Sequence, residues 1–375
     1  MCEDISEGVT AGQQLIVGQL ARHFQQRGVS TEVVGASRNG GPIADWLFPF
    51  VRSPSAGRSL ASALAVLWKA IGKAQVVHIH GVWSVIGVVA AAIAHVRGVP
   101  YIVSPHGMLQ PWLLQRRGVR KKIHLALASK RLLRHAAAIH CVTDREARVL
   151  RLIARRPTTV IPNSLPIEWP VASLLEITKA IRERVVLFVG RLHPVKGVDL
   201  LIDSWLRLWP SFMDWRLQIV GHDPSGLGQI LKRRVHTALG ADCVTFVGPV
   251  PHSELMSVYD RASIFVLPSH SEVIGIANLE AAARGLPILT TTKAGLDLLT
   301  SYGGGVICSP SVDSITVGLR RLLEASEMER RTMGAAGIQM VRDHFTWTRV
   351  AEQFERLYSR FLEPAALTRL RDATS

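Results

Sequence analysis

Short, β-branched apolar runs recur along the chain, and each is followed by a longer stretch whose apolar positions repeat with helical spacing. In the first half the runs are TEVVGAS (31–37), VVHIHG (76–81), YIVSPHG (101–107), AAIHCVT (137–143) and TTVIPN (158–163). In the second half they are VVLFVGR (185–191), RLQIVG (216–221), VTFVGP (244–249), IFVLPS (264–269), PILTT (287–291) and GGVICS (304–309). These runs lack a polar alternate face, as expected of strands covered by helices on both sides of a parallel sheet. The segments between them, such as Ala11–Gly28 and Lys196–Trp209, have the length and period of helices. Repeated strand–helix units predict an α/β chain with a parallel sheet in each half. Pro162, Pro166 and Pro170 punctuate SLPIEWPVAS (164–173), which has no clear period and reads as an extended connector. The expected architecture is two doubly wound domains facing each other across a cleft, with ligands bound beyond the carboxyl ends of the strands.

Composition sharpens this picture. Of 375 residues, 48% are hydrophobic and 19% charged, enough for two cores and too apolar for a disordered chain. The net charge of +15 is lopsided: residues 1–163 carry 21 Lys or Arg against 7 Asp or Glu, and the remainder carries 23 against 22. Between Asp45 and Asp144 there are 13 basic side chains and no carboxylate, so the first half is expected to face an anionic partner. The four cysteines are far apart and form no Cys-x-x-Cys pair, which argues against a disulfide framework or zinc site and for a reducing compartment. The opening MCEDISEGVT is polar and acidic, unlike a signal peptide. The most apolar run, Val82 to Val96, falls short of the roughly 20 residues a membrane-spanning helix needs.

Two strand-end segments carry candidate chemistry. In VGRLHPVKG (189–197), Gly190 permits a tight exit from a buried strand, Arg191 and Lys196 follow, and Gly197 opens a helix. Two cations fixed there can hold a diphosphate and take a metal's place in stabilising a departing nucleotide. Taken alone, the pair fits two solvated surface charges equally well. In PSHSEVIGIANLEAAARGLPIL (268–289), Glu272 falls on a loop, Gly275 precedes a helix that starts near Ile276, and Glu280 lies about a turn into it. Free N–H groups at that helix start can accept phosphate or sugar oxygens, and an ionised Glu can accept hydroxyl hydrogen bonds. Two helical glutamates usually mark a solvated face, but Ile274, Ile276, Leu279 and Ala281 to Ala283 put these at the edge of a buried element. In the first half, His106 lies between Pro105 and Gly107 and fits a turn or core residue as well as a functional one. His78 and His80 alternate on one strand face without a nearby carboxylate, and read as structural or cleft-lining rather than metal ligands.

Together these segments resemble the family 4 glycosyltransferases, retaining enzymes built from two Rossmann-like domains in the GT-B architecture. The resemblance is carried by Gly190-Arg191-Leu192 with Lys196-Gly197, by Pro268-Ser269, Glu272, Gly275 and Glu280-Ala281, and by Val160-Ile161-Pro162-Asn163. Ser104-Pro105-His106-Gly107-Met108-Leu109 looks like the bacterial polysaccharide-assembly branch. The resemblance implies that Arg191 and Lys196 contact the donor diphosphate, Glu280 the nucleotide ribose and Glu272 the hydroxyls of the transferred sugar. The backbone at Gly275, Ile276 and Ala277 would approach the phosphates or sugar. The loop at Gly248 would line the base pocket, and His106 would reach the donor sugar from the first domain. No metal or other cofactor is implied, and no Asp-x-Asp motif stands near a strand end. The expected division is an acceptor-side domain (1–165), a linker (166–183), a donor-nucleotide domain (184–345) and a C-terminal helix (346–375) packing back towards the first domain.

The chain departs from the family pattern twice. Val273-Ile274 stands where a small residue and an aromatic usually follow the first glutamate, which reshapes the expected sugar pocket. Ala11 and Gly12 occupy the place of the family's acceptor-side glycine-rich loop, but Glu3, Asp4 and Glu7 precede them, so the usual apolar first strand is expected to be missing.

In PWLLQRRGVRKKIHLALASKRLLRH (111–135), eight Lys or Arg alternate with apolar residues, a mixture that suits an anionic membrane surface. With no zinc finger, RNP-like aromatic pair or basic repeat, nucleic acid is not the expected partner. The sequence is therefore read as a cytoplasmic enzyme at the inner membrane face, moving a sugar from a nucleotide-sugar donor to a lipid-linked or polysaccharide acceptor. The alternatives are a sugar-nucleotide epimerase of the same shape and a non-catalytic nucleotide-sugar binder.

Overall fold

The computed structural model describes residues 12–35, 51–52, 60–109, 128–239 and 243–363. The chain divides into two compact units, Met1–Pro166 with Trp347–Ser375, and Ile167–Thr346. Each of the eleven apolar runs contains a strand, and every strand pairing among the described residues is parallel.

In the first unit, β1 (Val33–Val34) pairs with β2 (Val51–Arg52), while β3 (Val77–His80), β4 (Tyr101–Ser104), β5 (Ala138–Cys141) and β6 (Thr158–Val160) form a four-stranded sheet in chain order. The two-residue β2 was not expected, being too short to leave a periodic signal beside Ser53-Pro54. Side-chain alternation sends the apolar residues of the longer strands into two different cores. Ile79, Tyr101, Val103, Ile139 and Cys141 pack into one core with the helices Leu60–Ile71, Val85–Val96 and Asp144–Ala154. Ile102 and Ala138 point the other way, into a core with Ile16, Leu20 and Phe24 of the helix Gly12–Gln26. That second core is completed by Trp347, Val350, Ala351, Phe354, Leu357 and Tyr358 of the helix Trp347–Tyr358, near the chain's C-terminus. The apolar stretch after Val82 forms the twelve-residue helix Val85–Val96, and no helix among the described residues is long and apolar enough to cross a membrane. The residues before Gly12, including Ala11 and the place of the expected missing strand, lie outside the described residues, as do 111–127 of the basic segment.

In the second unit a six-stranded sheet has the order β12-β11-β10-β7-β8-β9. Its strands are β7 (Val185–Val189), β8 (Arg216–Val220), β9 (Val244–Gly248), β10 (Ile264–Leu267), β11 (Ile288–Thr291) and β12 (Gly305–Cys308). The chain builds outward from β7 through β8 and β9, then returns to the opposite side of β7 with β10. The resulting reversal between β7 and β10 is a topological switch point. The proline-marked connector does not stand free of this unit. Trp169 is buried edge-on against Tyr259, and Ala172 packs with Ile177 and Ile338. Its helix Leu174–Lys179 is closed by a capping box between Ser173 and Glu176.

At the amino edge of this sheet, arginines meet the carbonyls left over at helix C-termini. Arg182 donates to the carbonyls of Ala262 and Arg284 (2.9 and 2.7 Å), Arg331 to those of Thr178 and Ala180 (2.5 and 3.3 Å), and Arg330 to those of Leu322 and Ala325. These three arginines and Arg184 also line part of a cavity of about 310 Å³.

Candidate active site

The carboxyl edge of the second sheet is lined by glycines at three neighbouring strand ends. The Gly190 N–H donates to the Val220 carbonyl and the Gly221 N–H to the Gly248 carbonyl, at 2.9 and 2.8 Å. A Cβ on Gly221 would lie 1.9 Å from the Gly190 carbonyl oxygen, so the backbones approach too closely there for any side chain. Gly248 differs: its φ is +87°, and a Cβ there would meet nothing within 4 Å. It thus borders open space at the end of β9.

The segments after β7 and β10 flank the switch point and are joined to each other. After β7, Arg191 is exposed, and Pro194–Lys196 makes one 3₁₀ turn that ends at Gly197 in the left-handed region (φ +67°). Any side chain on Gly197 would put its Cβ 2.2 Å from the carbonyl oxygen of Pro268, at the end of β10. The His270 N–H donates to the Val195 carbonyl at 2.8 Å, tying the two loops again. Across this seam the Lys196 ammonium lies 2.5 Å from Glu272 Oε1, which also accepts from Ser269 Oγ at 3.0 Å. Both partners of the ion pair are mostly buried, their side chains 21% and 15% exposed, so separating them without a replacement partner is costly. The Glu272 N–H donates to the Lys293 carbonyl, and Thr291 Oγ1 to the Ser269 carbonyl, which fixes the loop against the end of β11.

Beyond Glu272 the helix Ile276–Ala283 starts at the same edge. Its N-cap is Gly275, which has no side chain to accept from the first turn, so the N–H groups of Ile276 and Ala277 have no side-chain cap. Such a helix start suits an anion. Glu280, on the second turn, is buried and accepts a 2.8 Å hydrogen bond from the Tyr259 hydroxyl. Burial pushes its carboxyl up to about 7, the Tyr259 O–H opposing that rise by favouring the ionised form. Gly190, Arg191, Lys196, Gly248, Glu272, Gly275, Ile276, Ala277 and Glu280 all fall at or just beyond the carboxyl ends of β7, β9 and β10. Tyr259 was missed by the sequence reading. It lies on the amphipathic helix His252–Arg261, where a tyrosine reads as ordinary core.

His106 belongs to the first unit, on the turn that follows β4, and has φ +50°, an unusual backbone for a residue with a side chain. Its Nε2 lies 2.9 Å from His80 Nδ1, and the two rings stack with centroids 5.2 Å apart. Behind them, Ser104 Oγ lies 2.6 Å from both His78 Nε2 and His140 Nδ1. His78 also hydrogen-bonds the Tyr358 hydroxyl, and His140 the Ile161 carbonyl at 2.8 Å. Burial lowers all four imidazoles, His106 to about 3 and His140 to about 4, so each is neutral at pH 7. His78 and His80 do share a strand face, as the alternation predicts; their partners Ser104, His140 and Tyr358 come from elements distant in sequence and left no local signal. Gly12 opens the helix Gly12–Gln26.

Comparison with known proteins finds matching family models and a shared fold. The model described as Glycosyltransferase Family 4 matches residues 10–169, and that described as Glycosyl transferases group 1 matches residues 176–340. A D-inositol 3-phosphate glycosyltransferase from Corynebacterium aurimucosum is 31% identical over 182 residues, 47% of this chain and 43% of its own. A glycogen synthase from Mycobacterium tuberculosis is 34% identical over 203 residues, 53% of this chain and 48% of its own. The chain thus spans about half the length of the curated relatives it matches. Among solved structures, the fold is similar to that of Anabaena Alr3699/HepE in complex with UDP, with a TM-score of 0.76 at 18% identity over 95% of this chain and 98% of that one.

Proposed function

Since the chain belongs to the Family 4 and group 1 glycosyltransferases, we propose that it moves a sugar from a nucleotide-sugar donor to a lipid-linked or polysaccharide acceptor, with retention at the anomeric carbon. The anomeric carbon exchanges its bond to the diphosphate oxygen for one to an acceptor hydroxyl. Arg191 and Lys196 balance the charge that builds on the departing nucleotide diphosphate, and no metal is needed for that task. Gly275, Ile276 and Ala277 offer backbone N–H groups to the phosphates or sugar. Glu272 accepts hydroxyl hydrogen bonds from the transferred sugar and Glu280 from the nucleotide ribose. The backbone at Gly248 borders the base, and His106 acts at the donor sugar. To Ala11 and Gly12 the proposal assigns a role towards the acceptor.

The observation that carries this reading is the seam between the two loops at the switch point. It brings a cation, a carboxylate and an uncapped helix start to one sheet edge, the complement of a sugar diphosphate. The UDP complex of the Anabaena relative agrees with a nucleotide donor. A screen of UDP-, GDP- and ADP-sugars for nucleotide release, with product analysis by NMR, tests the reading. Release of nucleotide with an α-linked product from an α-linked donor is expected, and Lys196→Ala and Glu280→Ala are expected to abolish it in folded protein. Normal turnover by both variants would overturn the assignment. An altered sugar formed from donor alone would identify an epimerase instead.

The basic first half supports attachment at the inner face of the cytoplasmic membrane, where a lipid-linked acceptor would be met. Equal sedimentation with anionic and neutral vesicles at moderate salt would remove that part of the proposal.

A further inference from the structure

The turn that carries His106 is held from behind by a carboxylate outside every role given above. Glu146 is the third residue of the helix Asp144–Ala154, and its side chain is buried. The Thr143 hydroxyl caps this helix by accepting the Glu146 N–H at 3.2 Å. In a capping box the acid at this position turns back to the N–H of the cap residue. Here the carboxylate reaches elsewhere: Oε2 accepts the N–H of Val142, at the exit of β5, at 2.8 Å, and Oε1 accepts the N–H of Gly107 at 2.6 Å. Glu146 therefore bolts the turn after β4 to the start of the helix after β5. Burial raises its carboxyl above the ordinary range, and the two backbone donors oppose that rise without cancelling it.

What this bolt holds is a strained turn. His106 and Gly107 are consecutive left-handed residues (φ +50° and +72°), a conformation that is costly for a residue with a side chain. One further backbone hydrogen bond, from the Met108 N–H to the Pro105 carbonyl at 3.1 Å, closes the turn. Were Gly107 released, the histidine backbone could relax and its ring would leave the stack on His80.

We propose that Glu146 is a positioning residue for His106, fixing through the Gly107 N–H the turn that presents the imidazole to the donor sugar. The inference rests on the reading of His106 given above. Its test is a double-mutant cycle of His106→Ala and Glu146→Gln in the full chain, with the nucleotide sugar that the donor screen identifies. The glutamine keeps one acceptor and loses the other. Glu146→Gln is expected to lower kcat about 10- to 100-fold at nearly unchanged donor KM, as a displacement near 1 Å does. In the His106→Ala background it is expected to lower kcat no further. A purely structural role would lower the melting temperature equally in both backgrounds and leave kcat of the folded protein unchanged. Independent, multiplicative losses in kcat overturn the inference while leaving His106 functional; normal turnover by His106→Ala overturns the reading of His106 itself, and the inference with it. Imidazole ¹⁵N NMR supplies a readout free of turnover. The cross-peaks absent from His106→Ala are expected to shift in Glu146→Gln, and unshifted peaks would also overturn the inference.

Discussion

Gly197 is where the two loops of the candidate site touch, and replacing it with alanine separates two effects that are usually confounded. The first is backbone strain. At φ +67° an alanine costs on the order of 1 kcal/mol after allowing for its stiffer unfolded chain. The second is the close approach, since the new Cβ would lie 2.2 Å from the Pro268 carbonyl oxygen, where real contacts begin near 3 Å. That oxygen belongs to backbone and cannot swing aside, so the loops must part by nearly 1 Å. Forced overpacking of this kind costs about 1–3 kcal/mol. Gly303 provides the control: its φ is +78°, and a Cβ there would meet nothing within 4 Å. For a unit of this size each kcal/mol lowers the melting temperature by roughly 2–4 °C. Gly303→Ala is therefore expected to lose about 2–4 °C, and Gly197→Ala about 4–16 °C, by scanning calorimetry. Gly197→Ala is also expected to weaken donor binding at least tenfold, because it separates Lys196 from Glu272, whereas Gly303→Ala leaves binding unchanged. Equal melting shifts in the two variants would refute the claim that close packing of the loops builds the site.

Further tests address other parts of the molecule. Donor KM is expected to improve as pH rises through about 7, where Glu280 ionises, and Tyr259→Phe moves that break to higher pH by removing the O–H that favours the carboxylate; an unmoved break would show that Tyr259 does not tune Glu280. His140 is lowered to about 4 by burial, so between pH 6.5 and 4 the unfolded chain holds a proton that the folded one refuses. Its contribution is complete above about 6.5 and is lost as pH falls, at up to about 1.4 kcal/mol per pH unit, and His140→Gln should flatten the acid slope of urea unfolding by that amount. Arg182→Met strips two helix-terminal carbonyls of their donor and is expected to cost about 2–3 kcal/mol in urea unfolding, with activity retained in the folded protein; a cost below 0.5 kcal/mol would show that the capping is incidental.

Much of the framework was legible in the chain itself. The runs at 101–107 and 185–191 became strands because their apolar residues fill both alternations, and a strand with no polar face is stable only between two layers of helix. The helix start at Ile276 could be placed because Gly275 and the alanine-rich stretch after it act within a few residues of each other. The connector was legible only as proline punctuation. That Trp169 would bury itself against Tyr259, ninety positions along, has no local signature.

Local chemistry determined which segments became strands and helices and which strand ends carried charge, since periodicity and backbone restriction act over neighbouring residues. Tertiary structure decided what those ends meet. The reversal between β7 and β10 set Lys196 against Glu272, the burial of Glu280 under Tyr259 moved its ionisation towards neutrality, and Glu146 was drawn away from its own helix cap to the turn at His106. Those pairings depend on strand order and on close approach between distant backbones, and both become defined only when the sheets assemble.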